Sequence, residues 1–109
     1  PSICALLEQG EAESRAYHQN AALGAAMSFA QAEGLILAPE TAHAVRAVYD
    51  EALACKESGE SKVILFNNSG HGHFDLGAYD AYYRQELPDY ELAEAKIEQA
   101  LVELPQIPA

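Results

Sequence analysis

Cations are scarce in this chain. Six lysine and arginine residues face 17 aspartate and glutamate residues, a formal net charge of −11. That balance repels phosphate backbones and anionic bilayers, which argues against a nucleic-acid or membrane-surface role. Cysteine is scarce as well. Cys4 and Cys55 sit among apolar or alanine-rich neighbours and form no C-x-x-C pair, so a reduced, cytoplasmic setting fits best. No signal peptide and no apolar run long enough to cross a bilayer is visible. Internal repeats and low-complexity tracts are absent. The chain opens on Pro1 rather than methionine, so we expect a processed chain or a segment of a longer one.

Apolar residues make up 50% of the 109 residues, and alanine supplies much of that share. Small side chains bury little area each, so such a chain gains from packing against a larger body. Ile3, Leu6 and Leu7 share one helical face that Gly10 can close, like the tail of a helix begun upstream. Residues 11–20 are polar, with a short strand expected near Arg15–His18. Leu23, Ala26, Met27 and Ala30 follow helical spacing over 21–32, with Ala22, Ala25 and Phe29 on a second side, the pattern of a buried helix ended by Glu33-Gly34. Pro39 is suited to open the next helix, followed by Glu40. Val45, Val48, Tyr49, Ala52 and Leu53 are expected on its inner face, an Arg46–Asp50 pair on its outer face, and a stop at 57–60. A third helix is expected over Leu76–Gln85. A last one starts at Pro88-Asp89, with Ala93, Ile97, Ala100, Leu101 and Leu104 inward and Glu91, Glu94 and Glu98 outward, ending at Pro105 and Pro108.

The clearest strand signal is Lys62–Asn67. Its apolar residues run without alternation, as in strands covered on both faces of a parallel sheet. Such a strand needs parallel neighbours, and the chain offers at most one weak candidate. The fold class is therefore α/β: a short parallel sheet remnant of one or two strands packed with four to five helices, completed by residues outside this chain.

The run from Asn67 to Asp75 lies at the carboxyl end of that strand, where ligands bind in open α/β sheets. Gly70 and Gly72 allow close backbone approach, and Ser69 offers a hydroxyl that donates and accepts. The run matches neither G-x-x-x-x-G-K-[ST] nor G-x-G-x-x-G, yet a glycine-rich turn can cradle a phosphate. His71, His73 and Asp75 could ligate a metal, although metal sites need convergent geometry. A tight turn with polar caps is the plainest reading.

Two blocks narrow the choice. Residues 32–44 (AEGLILAPETAHA) resemble the E-G-I-x-P-A-x-E-S-x-H-A block of tryptophan synthase β chains. Residues 63–72 (VILFNNSGHG) resemble their V-x-x-N-L-S-G-x-G block, at the family's distance downstream. Residues 73–76 and 78–82 look most like the variant β-chain group that works without an α partner. The resemblance covers roughly residues 1–85.

The resemblance implies the type II fold and pyridoxal phosphate (PLP) as cofactor, in a lyase joining indole to L-serine to make L-tryptophan. Ser69 matches the serine whose hydroxyl meets the pyridine nitrogen. A neutral donor there moderates the electron sink, which suits β-elimination and replacement. Glu33 matches the glutamate beside the cofactor ring, a catalytic position. Its place at the C-terminal end of a helix is a poor one for a negative charge, which favours a special role. Gly70 and Gly72 match the turn glycines, and His43 matches a motif histidine with a structural role. Asn68 stands where the family carries leucine. No metal is implied.

Two family features are missing. The Schiff-base lysine sits in an H-K-x-N-type motif, and none of Lys56, Lys62 or Lys96 has that context. The G-G-G-S-N phosphate loop is absent too. Without the lysine the cofactor has no covalent anchor, and without the loop its phosphate has no cradle. Residues 1–87 are thus expected to be the C-terminal segment of a tryptophan synthase β-like domain, with 88–109 an appended acidic helix. The chain would be inactive alone and would not bind PLP alone, its partner being the missing N-terminal half or a second chain. The alternative is a non-catalytic homo-oligomeric domain that binds a small ligand or a protein. Cys4, Cys55 and Met27 read as packing residues.

Overall fold

The computed structural model describes residues 2–91 and 93–102. Five helices follow one another: α1 (Ile3–Glu8), α2 (Gln19–Glu33), α3 (Pro39–Ser58), α4 (Leu76–Tyr83) and α5 (Glu94–Val102). Ser2 caps α1, its side chain accepting from the Ala5 amide. Gly10, Gly34 and Gly59 end their helices with left-handed φ near +73°, as expected. Pro39 opens α3 with Glu40 in its first turn, also as expected.

The core is thin and built on small residues. Helix α2 packs on α3 and α4. One cluster joins Ala22, Leu23, Ala26, Ala42 and Tyr79, with Met27, Tyr82 and Leu87 packed against it. A second joins Ala25, Leu37 and Val45, with Phe29 and Phe66 alongside. Alanines at the α2–α3 contact bring the two backbones close, but each buries little apolar area. Leu23, Leu37 and Val45 carry more, about 1.5–3 kcal/mol each when fully buried. The radius of gyration is 17.2 Å, against about 13 Å for a compact domain of this length. The chain is spread out, not closed around one core.

Besides the strand at 62–67, four expectations need correction. Residues 11–18 form no strand; side chains tether them to α3, with Arg15 donating to Glu51 at 2.5 Å and Tyr17 donating to Asp50 at 2.8 Å. The inner face of α3 is buried only at its start. Val45 is 1% exposed, but Tyr49 is 38% and Leu53 52% exposed, because no described element covers the second half of the helix. Helix α5 starts at Glu94 rather than at Pro88 and buries no residue, leaving Ile97 and Leu101 exposed; Leu104, Pro105 and Pro108 lie outside the described residues. Cys4 is exposed instead of packed.

The segment 62–67 is extended, but it pairs with nothing, and no strand is formed among the described residues. Its side chains alternate. Ile64 and Phe66 are half-buried, Phe66 meeting Phe29 edge-to-face at 5.9 Å. Val63 and Leu65 are wholly exposed, at 101% and 96%. A strand exists only through a ladder to neighbours, and no neighbour lies within these residues. One isolated antiparallel bridge, Leu37 to His71, is the only pairing described.

Candidate functional site: a glycine turn pinned to the start of α3

The turn after residue 67 folds back onto the linker between α2 and α3. The Gly72 amide donates to the Ile36 carbonyl at 2.9 Å. Gly72 is buried, and a β-carbon there would strike the Leu37 carbonyl oxygen and lie 2.7 Å from Ile36 Cγ2. Only glycine admits this approach of two backbones. Gly70 takes φ +113°, a region that side chains avoid, and a β-carbon there would lie 3.7 Å from that of Ala38. From below, the Tyr79 hydroxyl on α4 donates to the Leu37 carbonyl at 2.5 Å. Burial pushes the Tyr79 phenol up, helped by the Asp75 and Glu40 carboxylates.

Ser69 sits at the start of the turn with an exposed side chain. Its amide donates to Thr41 Oγ1 at 3.2 Å, and its own Oγ lies 3.2 Å from the same oxygen. Thr41 is 2% exposed, in the first turn of α3. The two sequence blocks that carried the resemblance thus meet: 36–41 from the first, 69–72 from the second. Ser69, Gly70 and Gly72 are brought together by this contact. Glu33 is not part of it. That residue is exposed at the last position of α2 and has no hydrogen-bond or ion-pair partner among the described residues.

The remaining candidates separate. His71 Nδ1 accepts from the His73 amide at 3.3 Å, and the two rings lie 5.0 Å apart. No group of three metal-ligating side chains converges among the described residues, His71, His73 and Asp75 included. His43 is exposed on α3, lining a cleft of about 520 Å³ with Ala44, Ala47, Val48 and the bare segment 64–67. Lys62 pairs with Glu60 at 3.2 Å, away from Ser69. Thr41 is the residue that sequence reasoning passed over. Its signal was present, a hydroxyl in the first helical turn inside the first block, but nothing in the sequence tied it to position 69.

This arrangement is mostly helical and consistent with a piece of a larger fold: a helical layer, one bare segment without a ladder partner among the described residues, and a glycine-shaped turn at that segment's carboxyl end. Comparison agrees. No family model matches the chain. The tryptophan synthase beta chain 2 of Aquifex aeolicus is 55% identical over 89 residues, covering 82% of this chain and 20% of that protein. The beta chain of Pyrococcus horikoshii is 52% identical over 91 residues, and beta chain 2 of Methanosarcina acetivorans 51% over 87, each again with 20% of its length matched. Over this segment the chain belongs to the tryptophan synthase β-chain family, and it spans about a fifth of the length of those relatives.

Proposed function

We propose that the chain is the C-terminal part of a PLP-dependent tryptophan synthase β-like lyase and supplies the pyridine-nitrogen side of its cofactor pocket. The observation that carries this reading is the exposed Ser69 hydroxyl on a rigidly pinned turn, beside an extended segment that lacks its sheet. The residues present fit one edge of the cofactor. Ser69 provides a neutral hydroxyl for the ring nitrogen, and Gly70 and Gly72 seat the turn that carries it against the 36–38 linker. Nothing here fits the cofactor's other end, since the chain has neither the lysine motif nor the phosphate loop.

When bound, PLP supplies an electron sink for chemistry at the α-carbon of an amino acid. The chain's own part is narrower. Ser69 holds a proton at the ring nitrogen's edge without transferring it, and Glu33 is the carboxylate proposed beside the ring. Val63 and Leu65 offer an apolar strand for the sheet carried by the other half, and covering them excludes water from that side. Residues 1–87 form the family segment in this reading and 88–109 an appendage. The exposed faces of α5 support that division. Its near end is tied down, with the Asn20 amide donating to the Asp89 carboxylate at 3.2 Å.

Mixing the chain with a lysine-bearing N-terminal half and PLP should restore the visible absorbance band of protein-bound cofactor. Absence of that band on mixing would overturn the proposal. A second reading, a stand-alone homo-oligomer, is favoured by the same bare segment, which a second copy could pair. Light scattering separates the two: a stable oligomer without PLP affinity supports the second.

A further inference from the structure

We propose that Thr41 is the positioning residue that aims the Ser69 hydroxyl. This inference deepens the functional reading above and rests on it for the cofactor side only. An exposed serine in a turn samples three side-chain rotamers, so its hydroxyl has no fixed direction. Here one oxygen, Thr41 Oγ1, meets both the amide and the Oγ of Ser69, each at 3.2 Å. A threonine hydroxyl has one proton and two acceptor lone pairs. Taking the Ser69 N–H on one lone pair and giving its proton to Ser69 Oγ satisfies both contacts. The Ser69 proton is then left free to point away from the protein, toward an acceptor such as a heterocyclic nitrogen.

Burial gives the contact its strength. Thr41 is 2% exposed, so water competes poorly for its hydroxyl. The helix holds it still, because Thr41 lies in the first turn of α3, beside Ala42, which is 0% exposed. The turn is held separately by Gly72 on Ile36 and Leu37. Ser69 is thus fixed from two directions, and among the described residues only the Thr41 contact acts on its side chain.

The test uses Thr41→Val, which keeps the shape and removes the hydroxyl, and Thr41→Ser, which keeps the hydroxyl and removes a methyl. In the 109-residue chain, hydrogen exchange by NMR should show the Ser69 amide losing protection by about five- to tenfold in T41V, the effect of one lost hydrogen bond. T41S should keep that protection. In the chain assembled with the lysine-bearing half, PLP titration by absorbance should show S69A and T41V each weakening cofactor binding by roughly five- to tenfold. The double variant should be no weaker than S69A alone. Unchanged protection in T41V, or equal loss in T41S and T41V, overturns the positioning role. If T41V fails to fold, T41S alone decides: retained protection and affinity support the role, and lost ones overturn it. If S69A leaves cofactor binding and its spectrum unchanged, the functional reading fails instead, while the exchange measurement still judges the Thr41 contact.

Discussion

Replacing Gly72 by alanine adds a single carbon, and at most glycines outside left-handed φ that change stabilises. Alanine loses less chain entropy on folding, a gain of about 0.4–1 kcal/mol where the backbone tolerates it. Gly77, in α4, is such a position: nothing lies within 4 Å of where its β-carbon would be. Gly72 is the opposite case. Its β-carbon would press on the Leu37 carbonyl oxygen, with Ile36 Cγ2 at 2.7 Å and Tyr79 Cε2 at 3.1 Å. The first obstacle is backbone and cannot rotate away. The turn must lift, which strains or breaks the Gly72–Ile36 hydrogen bond and the Leu37–His71 bridge. Overpacking costs about 1–3 kcal/mol and a lost hydrogen bond about 1 kcal/mol, so G72A should destabilise the chain by about 2–4 kcal/mol. At about 4–8 °C per kcal/mol for a domain of this size, its Tm should fall by at least roughly 8 °C. Thermal melts followed by circular dichroism at 222 nm (the α-helix band) on wild type, G72A and G77A check this. A G72A melt equal to or above wild type, or a fall in G77A as large as that in G72A, would refute the packing argument.

Further outcomes follow from the same contacts. The Tyr79 phenol is held protonated above its ordinary value of 10.0, so its contribution to stability is complete below that pH and fades as pH rises through the higher folded value. Y79F should lose about 1 kcal/mol at pH 8 from the missing bond to Leu37 and show a flatter decline above pH 10 than wild type; chemical denaturation at both pH values measures this, and parallel declines would count against it. Val63→Asp with Leu65→Asp should leave the melt of the chain unchanged within about 0.5 kcal/mol, since both side chains are already in water. The same pair should abolish assembly with the lysine-bearing half in pull-down, and intact assembly would remove these residues from the interface. Asn20→Ala deletes the donor to the Leu87 carbonyl, a loss of about 1 kcal/mol; limited proteolysis should then cut near residues 87–91 faster than in wild type, and an unchanged cleavage rate would contradict the tether.

Sequence alone determined the local features of this protein. Helical spacing over 21–32 and onward from Pro39 to a stop at 57–60, with the glycine stops at 34, 59 and 10, is set by short-range chemistry, and the structure carries each of these features in α2, α3 and α1, with α2 running two residues earlier and one later than the spacing alone gives. The two family blocks were legible for the same reason, as ordered strings of residue types. Tertiary structure decided what those strings do together. An apolar run at 62–67 cannot say whether a ladder partner exists, and among the described residues none does, so Val63 and Leu65 stand bare. Helical periodicity promised an inner face along all of α3, but a face is inner only where another element covers it, which ends after Val45. Likewise the pairing of Thr41 with Ser69 joins positions 28 residues apart, and only the return of the chain across the α3 start, with Gly72 against Leu37, brings the two hydroxyls within 3.2 Å.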